Sequence, residues 1–181
     1  MPTVLAILAD GFEEIEAVTP IDLLRRAGAG VTVAALAEST HVTGRSGLTL
    51  HADTTFVAIL NGTHDFDCII LPGGPGVAKL RADARVASLL LRQHAAGRWI
   101  GAICAAPTVL NDAGLLASHR FTAHHSVALE LPELIAGERV ITDDRIVTSR
   151  GAGTALDFGL MLVEKLFTLE KAREIARCIC V

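Results

Sequence analysis

One cysteine at a predicted strand-to-helix turn is the residue best suited to chemistry in this chain. Cys104 lies in the pentapeptide Ala-Ile-Cys-Ala-Ala (102–106), between an apolar run predicted as a strand and a run predicted as a helix. A thiol at such a turn faces the unpaired amides and the positive end of the helix, and both favour the thiolate. Free cysteine is also a common small core residue, so a buried structural thiol is the competing interpretation.

A cluster of acidic residues follows the first predicted strand. Glu13, Glu14 and Glu16 would lie in the first turn of a helix, where carboxylates complement the helix dipole and are ordinarily solvated. Glu16 differs in position, because Ile15 and Val18 are expected to face the core and Glu16 then borders the buried stripe. We therefore expect the Glu16 carboxyl to be able to point into a cleft.

A glycine-rich loop offers backbone donors near the same place. Gly73 and Gly74 follow the continuous apolar run 68–71, and with the amide of Ala105 they would form a pocket for an oxyanion. The alternative is a tight turn in which glycine supplies a positive φ. The loop has neither the phosphate-loop pattern GxxxxGK[ST] nor the glycine pattern of a dinucleotide fold, so no nucleotide cofactor is expected.

Histidines supply the remaining candidates. His124 and His125 follow a predicted strand at 120–123, and because adjacent residues on a strand face opposite sides, at most one of them can point at the thiol. The chain has no HExxH or CxxC motif, and the pair Cys178 and Cys180 has no matching histidine spacing. We therefore expect no metal site.

The order of apolar runs predicts how these residues are brought together. Short β-branched runs alternate with longer amphipathic runs, which is typical of an α/β fold with a mostly parallel sheet, here as one domain over residues 1–181. Ligands in such sheets bind beyond the carboxyl ends of the strands, where the loops carrying Glu16, Gly73 and Cys104 are expected to meet. Pro20 is expected to kink or split the first helix. Strands are predicted at 3–8, 31–35, 48–50, 68–71, 99–103, 120–123, 139–141 and 145–149, and helices at 13–27, 83–96, 107–113, 155–167 and 169–180.

Composition excludes several classes of partner. The chain has 181 residues, 51% of them hydrophobic, which is enough to bury a substantial core. A net charge of -4 without a basic cluster in the sequence argues against nucleic acid. No apolar run reaches membrane-spanning length, and the first residues lack a signal-peptide pattern, so a cytoplasmic protein without a membrane partner is expected. Four cysteines in a chain of this size are expected to be reduced.

Five motifs occur in order along the chain: EExE at 13–16, LPGG at 71–74, AICAAPTVL at 102–110, TAH at 122–124 and TSRGAGT at 148–154. Together they resemble the ThiJ/PfpI superfamily, and within it the DJ-one (DJ-1) branch and its bacterial relatives. The resemblance covers essentially the whole chain. It implies a flavodoxin-like α/β sandwich, a homodimer, and a cysteine at an elbow paired with a glutamate.

The resemblance also assigns roles to residues. By motif match, Cys104 takes the nucleophile position, Glu16 the carboxyl partner and His124 the nearby histidine, while the backbone donors over the sulfur are Gly74 and Ala105. It implies a cofactor-free enzyme that converts reactive dicarbonyls such as methylglyoxal to lactate, of the glyoxalase III type, or that removes early glycation adducts from amines and thiols. Two alternatives stay open: an oxidative-stress sensor or chaperone that uses an oxidisable Cys104 without turnover, and a thiol amidase or hydrolase.

Departures from the family pattern limit what can be transferred. Ala105 stands where protease-like members carry a histidine, so a compact Cys-His pair is unavailable and peptidase activity is doubtful. Arg45 is displaced relative to the arginine of related proteins, which leaves open whether it reaches a partner subunit. Some relatives carry secondary cysteines where this chain has Gly44 and His51, so regulation through those thiols does not transfer.

Overall fold

The computed structural model describes residues 1–62 and 65–181. Its strands are β1 (Thr3–Leu8), β2 (Gly30–Ala35), β3 (His41–Thr43), β4 (Thr49–His51), β5 (Thr54–Thr55), β6 (Cys68–Leu71), β7 (Trp99–Ile103), β8 (Val140–Asp143) and β9 (Ile146–Ser149). Its α-helices are α1 (Glu14–Ala27), α2 (Phe56–Asn61), α3 (Val77–Ala82), α4 (Ala84–Ala95), α5 (Pro107–Asp112), α6 (Ala155–Leu166) and α7 (Leu169–Cys178).

The main sheet has seven strands in the order β5-β2-β1-β6-β7-β9-β8. All neighbouring strands in it are parallel except the last pair, β9 and β8, which is antiparallel. Strands β3 and β4 form a separate antiparallel ribbon. The run β2-β1-β6-β7-β9 reproduces the 2-1-3-4-5 order of flavodoxin-like sheets. The predicted α/β fold with a mostly parallel sheet is therefore confirmed.

Two apolar layers cover the sheet, and alternation along β1 shows how they are divided. Val4, Ala6 and Leu8 face the cluster formed with α1, α6 and α7. Leu5 and Ile7 face the opposite cluster, formed with α2, α3, α4 and α5. All five side chains are fully buried. A sheet buried on both faces needs apolar residues at every position, which is why β1 is a continuous apolar run.

Most predicted elements have the expected bounds within one or two residues, and 120–123 is the clear error. This segment is not a strand, because the backbone groups of Phe121 and Thr122 bond to a side chain and to a loop rather than to the backbone of a neighbouring strand. The Thr122 amide donates to the Thr148 hydroxyl at 3.0 Å, and the Phe121 carbonyl accepts from the Ile135 amide at 2.9 Å. The elements missed by prediction, β3, β5, α2 and α3, are too short to show a period.

Helix α1 runs without interruption through Pro20, so the predicted split does not occur. The proline lies on the buried side of α1, against Gly159 of α6. A side chain at Gly159 would lie 3.1 Å from the Pro20 Cα and 2.6 Å from a Leu23 methyl group, so the absence of one lets the two helices approach closely. We attribute the tolerance of the missing backbone donor to this packing.

The orientation of α1 also differs from the expectation. Ile15 and Val18 were expected to face the core, yet they are 53% and 44% exposed, whereas Glu14 and Glu16 are buried. The carboxylates are buried because backbone amides bind them: the Ser46 amide donates to Glu14 at 2.8 Å and the Gly73 amide donates to Glu16 at 2.9 Å. Specific hydrogen bonds therefore outweigh the apolar pattern in setting the rotation of this helix.

Two further expectations concern the whole chain. The four cysteines are all unpaired, as expected for reduced thiols. None of the helices among the described residues combines the length and the apolarity needed to cross a bilayer. The cytoplasmic location stays a prediction.

Candidate active site

Cys104 lies directly after β7 in a strained backbone conformation. Its φ is +67°, in the left-handed region that costs a non-glycine residue about 1–3 kcal/mol. Hydrogen bonds on both sides hold it there: the Cys104 amide donates to the Ser149 carbonyl at 2.9 Å, and the Cys104 carbonyl accepts from the His124 amide at 2.9 Å. The elbow predicted from the sequence is therefore present.

Glu16 is positioned by the way α1 begins. Glu13 caps the helix by accepting from the Glu16 amide at 2.8 Å, and its own amide donates to the Gly73 carbonyl at 3.0 Å. The Gly73 amide in turn donates to Glu16 Oε2 at 2.9 Å. These bonds dock the first turn of α1 on the glycine loop, so Glu16, only 2% exposed, points to the carboxyl end of the sheet.

Gly73 separates the reactive groups and leaves room only for a hydrogen atom. A side-chain carbon at this position would lie 2.6 Å from Glu16 Oε2, 2.6 Å from the Cys104 Cβ and 3.0 Å from its Sγ. The Cys104 thiol is also a hydrogen-bonding neighbour of the Glu16 carboxyl. The amides of Gly74 and Ala105 donate to the sulfur, whereas the Gly73 amide is committed to Glu16. Of the three amides predicted to form an oxyanion pocket, two therefore serve the Cys104 thiol and one serves the Glu16 carboxyl.

Burial raises the pKa of both acids, and each affects the other. Burial raises the pKa of Glu16 to about 7, against the lowering effect of hydrogen bonds from Cys104 and from the amides of Gly73 and Ala152. Burial and the neighbouring Glu16 charge raise the pKa of Cys104 to about 12, and the amides of Ala105 and Gly74 oppose this only in part. The direction is opposite to the sequence expectation of a thiolate. Groups coupled this closely titrate as one unit, so above the first ionisation they share a single proton.

His124 is held as a neutral donor. Its Nδ1 accepts from the Ser126 amide at 3.2 Å and lies 2.9 Å from the Ser126 hydroxyl. An imidazole that accepts at Nδ1 carries its proton on Nε2. Burial, together with the charges of His125, Arg150 and Arg45, lowers the pKa of His124. This arrangement does not suit a cationic partner of a thiolate.

His125 and Arg45 both lie near His124. The expectation that only one of His124 and His125 can point at the thiol rested on a strand that is absent, and the two rings lie 4.0 Å apart. Both line a cleft of about 410 Å³ together with Arg150. Arg45 lies near enough to His124 of its own chain to affect its pKa.

Sequence reasoning missed three contributors to the site. The Ala152 amide donates to Glu16, and Ser126 fixes the tautomer of His124. Gly151 has no side chain and so leaves open space between Glu16 and His124. A side-chain carbon at Gly151 would lie 3.5 Å from Glu16 Oε1 and 3.3 Å from the His124 ring. These contributions come mainly from the backbone, which residue types do not reveal. The only sequence feature that pointed to Gly151 and Ala152 was the motif at 148–154. Over residues 1–62 and 65–181, no group of three or more His, Cys, Asp or Glu is arranged to hold a metal.

Comparison with known proteins places this geometry in a family. A model described as the DJ-1/PfpI family matches residues 2–165. The chain belongs to the DJ-1/PfpI family. The crystal structure of Drosophila melanogaster DJ-1beta superposes with a TM-score of 0.95 at 36% identity, over 99% of this chain and 98% of that one.

Two curated members of the DJ-1/PfpI family are similar in sequence. The Caenorhabditis elegans protein named glutathione-independent glyoxalase DJR-1.2 is 37% identical over 93% of this chain and 90% of its own length. The Arabidopsis thaliana protein DJ-1 homolog B is 38% identical over 97% of this chain, but the match spans only 40% of that protein. Members of the family thus differ in total length.

Proposed function

We propose that the protein is a cofactor-free enzyme that converts small 1,2-dicarbonyl compounds to 2-hydroxy acids, with methylglyoxal giving lactate. The observation that carries the proposal is the convergence of the Cys104 sulfur, the Glu16 carboxyl and the Gly74 and Ala105 amides around Gly73. The relative named as a glutathione-independent glyoxalase supports the reaction class.

The first step is addition of sulfur to the aldehyde carbon. The reactive form of the pair has its remaining proton on Glu16 and its charge on Cys104, and it differs from the carboxylate-thiol form only in the position of that proton. The thiolate forms a carbon-sulfur bond, and the carbonyl electron pair moves to oxygen, where the Gly74 and Ala105 amides can stabilise it. The alkoxide then takes the Glu16 proton and becomes a hemithioacetal.

The second step moves hydrogen between neighbouring carbons. The Glu16 carboxylate removes the proton from the hemithioacetal carbon to give an enediol, and it returns a proton to the former ketone carbon. The first carbon is oxidised to a thioester and the second is reduced to an alcohol, so no external oxidant is needed. Water hydrolyses the thioester, which releases lactate and regenerates Cys104. His124 orients the substrate by donating from Nε2.

The same chemistry extends to glycation adducts. A hemithioacetal or aminocarbinol formed from methylglyoxal and a thiol or amine has the carbonyl neighbour that the proton shift requires. Transfer of this adduct to Cys104 would release the free thiol or amine and lead again to lactate. Deglycation is therefore a second use of the same site, with glycated amines and thiols as substrates.

The test is lactate formation from methylglyoxal in the presence of a metal chelator. We expect Cys104→Ser to lower kcat/KM by about 10³-fold or more and Glu16→Gln by about 10²-fold, because they remove the nucleophile and the proton carrier. Cys178→Ser is the matched control, since Cys178 is exposed at the end of α7. Equal turnover by wild type and Cys104→Ser would refute the proposal.

A redox sensor or chaperone is the second candidate, and the accessibility of Cys104 beside Glu16 favours it. Two equivalents of peroxide would oxidise the thiolate to a sulfinate with release of two molecules of water, and protonated Glu16 would donate to the new oxygen. Mass spectrometry after mild peroxide treatment tests this. Selective addition of two oxygens to Cys104 supports the sensor, and uniform oxidation of all four cysteines contradicts it.

A thiol amidase or hydrolase needs a histidine that acts as base toward Cys104. The Nδ1 bonds to Ser126 and the lowered pKa of His124 argue against this role. The pH profile of Cys104 alkylation discriminates, because an ion pair would give a titration that His124→Gln abolishes. A profile unchanged in His124→Gln would exclude the hydrolase.

We further propose that the protein forms a homodimer through the exposed start of α1. Ile15 and Val18 are exposed there, and Leu48, 62% exposed, lies close by because its amide binds the neighbouring Glu14. A second copy of the chain would cover this apolar patch. Light scattering is expected to give twice 19.0 kDa for wild type. Val18→Glu should lower this mass, whereas Leu129→Glu, at an isolated exposed leucine, should not.

A further inference from the structure

A positively charged cleft opens beside the reaction centre. Its volume is about 410 Å³, within the usual range for small-molecule sites. The side chains of His124, His125, Arg139 and Arg150 line it, together with the segment 151–154. Among the described residues that line the cleft, none is an aspartate or glutamate.

Gly151 lines the cleft and also lies next to the Cys104 thiol. A side-chain carbon at Gly151 would lie 3.9 Å from the Cys104 Sγ and 3.3 Å from the His124 ring. A molecule that fills the cleft therefore lies within a few atoms of the sulfur. A substrate bonded to Cys104 can extend its far end past Gly151 toward Arg150.

The two arginines of the cleft are in different electrostatic situations. Arg139 pairs with Asp157 at 2.6 Å and also donates to the Gly153 carbonyl, so its charge is largely compensated. Arg150 is exposed, and within residues 1–62 and 65–181 no carboxylate lies at ion-pair distance from it. Its field reaches His124, whose pKa it helps to lower. Arg150 is therefore a cation beside the active site that is available to a ligand.

We propose that this cleft binds an anionic group of the substrate, a carboxylate or a phosphate, with Arg150 as its main ligand. The planar guanidinium matches either group with two parallel hydrogen bonds. The preferred substrates are then 2-oxoaldehydes that carry an anionic tail, and methylglyoxal is a truncated version of them. This inference rests on the proposed function for its chemistry, but the anion site itself does not depend on turnover.

The first experiment measures charge at Cys104 without any turnover. Iodoacetate and iodoacetamide have nearly the same size and differ by one negative charge, so the ratio of their alkylation rates at Cys104 reports the local potential. We expect Arg150→Gln to lower this ratio about three- to tenfold, as the loss of one nearby charge predicts. The matched control is Arg145→Gln, which makes the same charge change at the opposite end of β9, over Trp99. Equal ratios in wild type and both variants would overturn the anion site.

The second experiment measures substrate preference. The probes are 4,5-dioxopentanoate, its neutral methyl ester and a phosphate ester of a three-carbon 2-oxoaldehyde. We expect wild type to prefer both anions over the ester by about tenfold in kcat/KM, and Arg150→Gln to lose most of that preference while Arg145→Gln keeps it. Preference for one anion alone identifies the group that the cleft binds.

The two experiments separate the two proposals. If no probe is consumed and Arg150→Gln still lowers the alkylation ratio, the proposed reaction fails and the anion site stands. If the probes are consumed and Arg150→Gln changes the acid and its ester equally, the reaction stands and the anion site is overturned.

Discussion

Two cysteines on neighbouring strands of one sheet have opposite properties. Cys68 is the first residue of β6, where it is fully buried and its sulfur donates to the Ile69 carbonyl at 3.7 Å. Burial raises the pKa of that thiol, with the nearby Asp67 charge as a smaller cause. Cys104 follows the last residue of β7, is partly exposed, and has the Glu16 carboxyl and two amides around it. Position relative to the carboxyl end of a strand, rather than residue type, decides which thiol can react.

The largest expected difference between the two thiols is in their rate of alkylation. We expect iodoacetamide near neutral pH to modify Cys104 about 10³-fold faster than Cys68 or more, because a fully buried thiol reacts only when the sheet opens. Peptide mass spectrometry resolves the sites, and the exposed Cys178 is an internal reference. Comparable rates at Cys68 and Cys104 in the folded protein would remove the basis of the comparison.

Gly73 lies between Cys104 and Glu16 and sets how closely the thiol and the carboxyl approach. Gly73→Ala would place a methyl group 2.6 Å from both the Cys104 Cβ and Glu16 Oε2, so at least one of them must move. We expect turnover of methylglyoxal to fall about 10²-fold, as displacements of about 1 Å do at other active sites.

The control for this substitution is Gly137→Ala, where an added carbon meets nothing within 4 Å. Its turnover should equal that of wild type, and both variants should unfold cooperatively. Full activity in Gly73→Ala would mean that the convergence of thiol and carboxyl is unnecessary for the reaction.

The strands that carry the site were well predicted from the sequence, because their apolar runs are strong signals. The continuous apolar runs of β1, β6 and β7 gave these strands their observed bounds, and their parallel order brings Glu16, Gly73 and Cys104 to one edge of the sheet. These strands are buried on both faces, so tertiary context reinforces the local pattern rather than opposing it.

The details of the site were less predictable, because they depend on hydrogen bonds that leave no trace in residue type. Backbone amides, not apolarity, turn Glu16 inward and Ile15 outward. The same is true of His124, whose tautomer is set by the Ser126 amide. The pKa of Cys104 was expected to fall because the helix start was considered without the burial and carboxylate that outweigh it.

We expect Glu16 to lower the stability of the folded protein as pH rises. Its pKa is about 7 in the folded protein, against the ordinary glutamate value of 4.5 that applies to the unfolded chain. Between these values the unfolded chain releases a proton that the folded protein retains, so the free energy of unfolding falls as pH rises. Above neutral pH the free energy of unfolding is lower by about 3 kcal/mol than it would be without this pKa difference.

Urea unfolding of Glu16→Gln at about pH 5 and about pH 8 measures this effect. We expect the variant to gain stability relative to wild type at the higher pH and much less at the lower pH, because glutamine has no proton to lose. Glu133→Gln, at an exposed position, is the control and should follow wild type at both pH values. A gain of the same size at both pH values would show that burial of the Glu16 charge is not its origin.

The smallest expected effect is at the thiol that does no chemistry. Cys68→Ala removes one buried sulfur from the cluster between the sheet and α1, and we expect it to lower the free energy of unfolding by about 1 kcal/mol. Methylglyoxal turnover should stay unchanged, because the carboxyl end of β6 and the glycine loop after it keep their hydrogen bonds to α1. Lost turnover with preserved stability would contradict this, since it would mean that reactivity is not confined to the carboxyl end of the sheet.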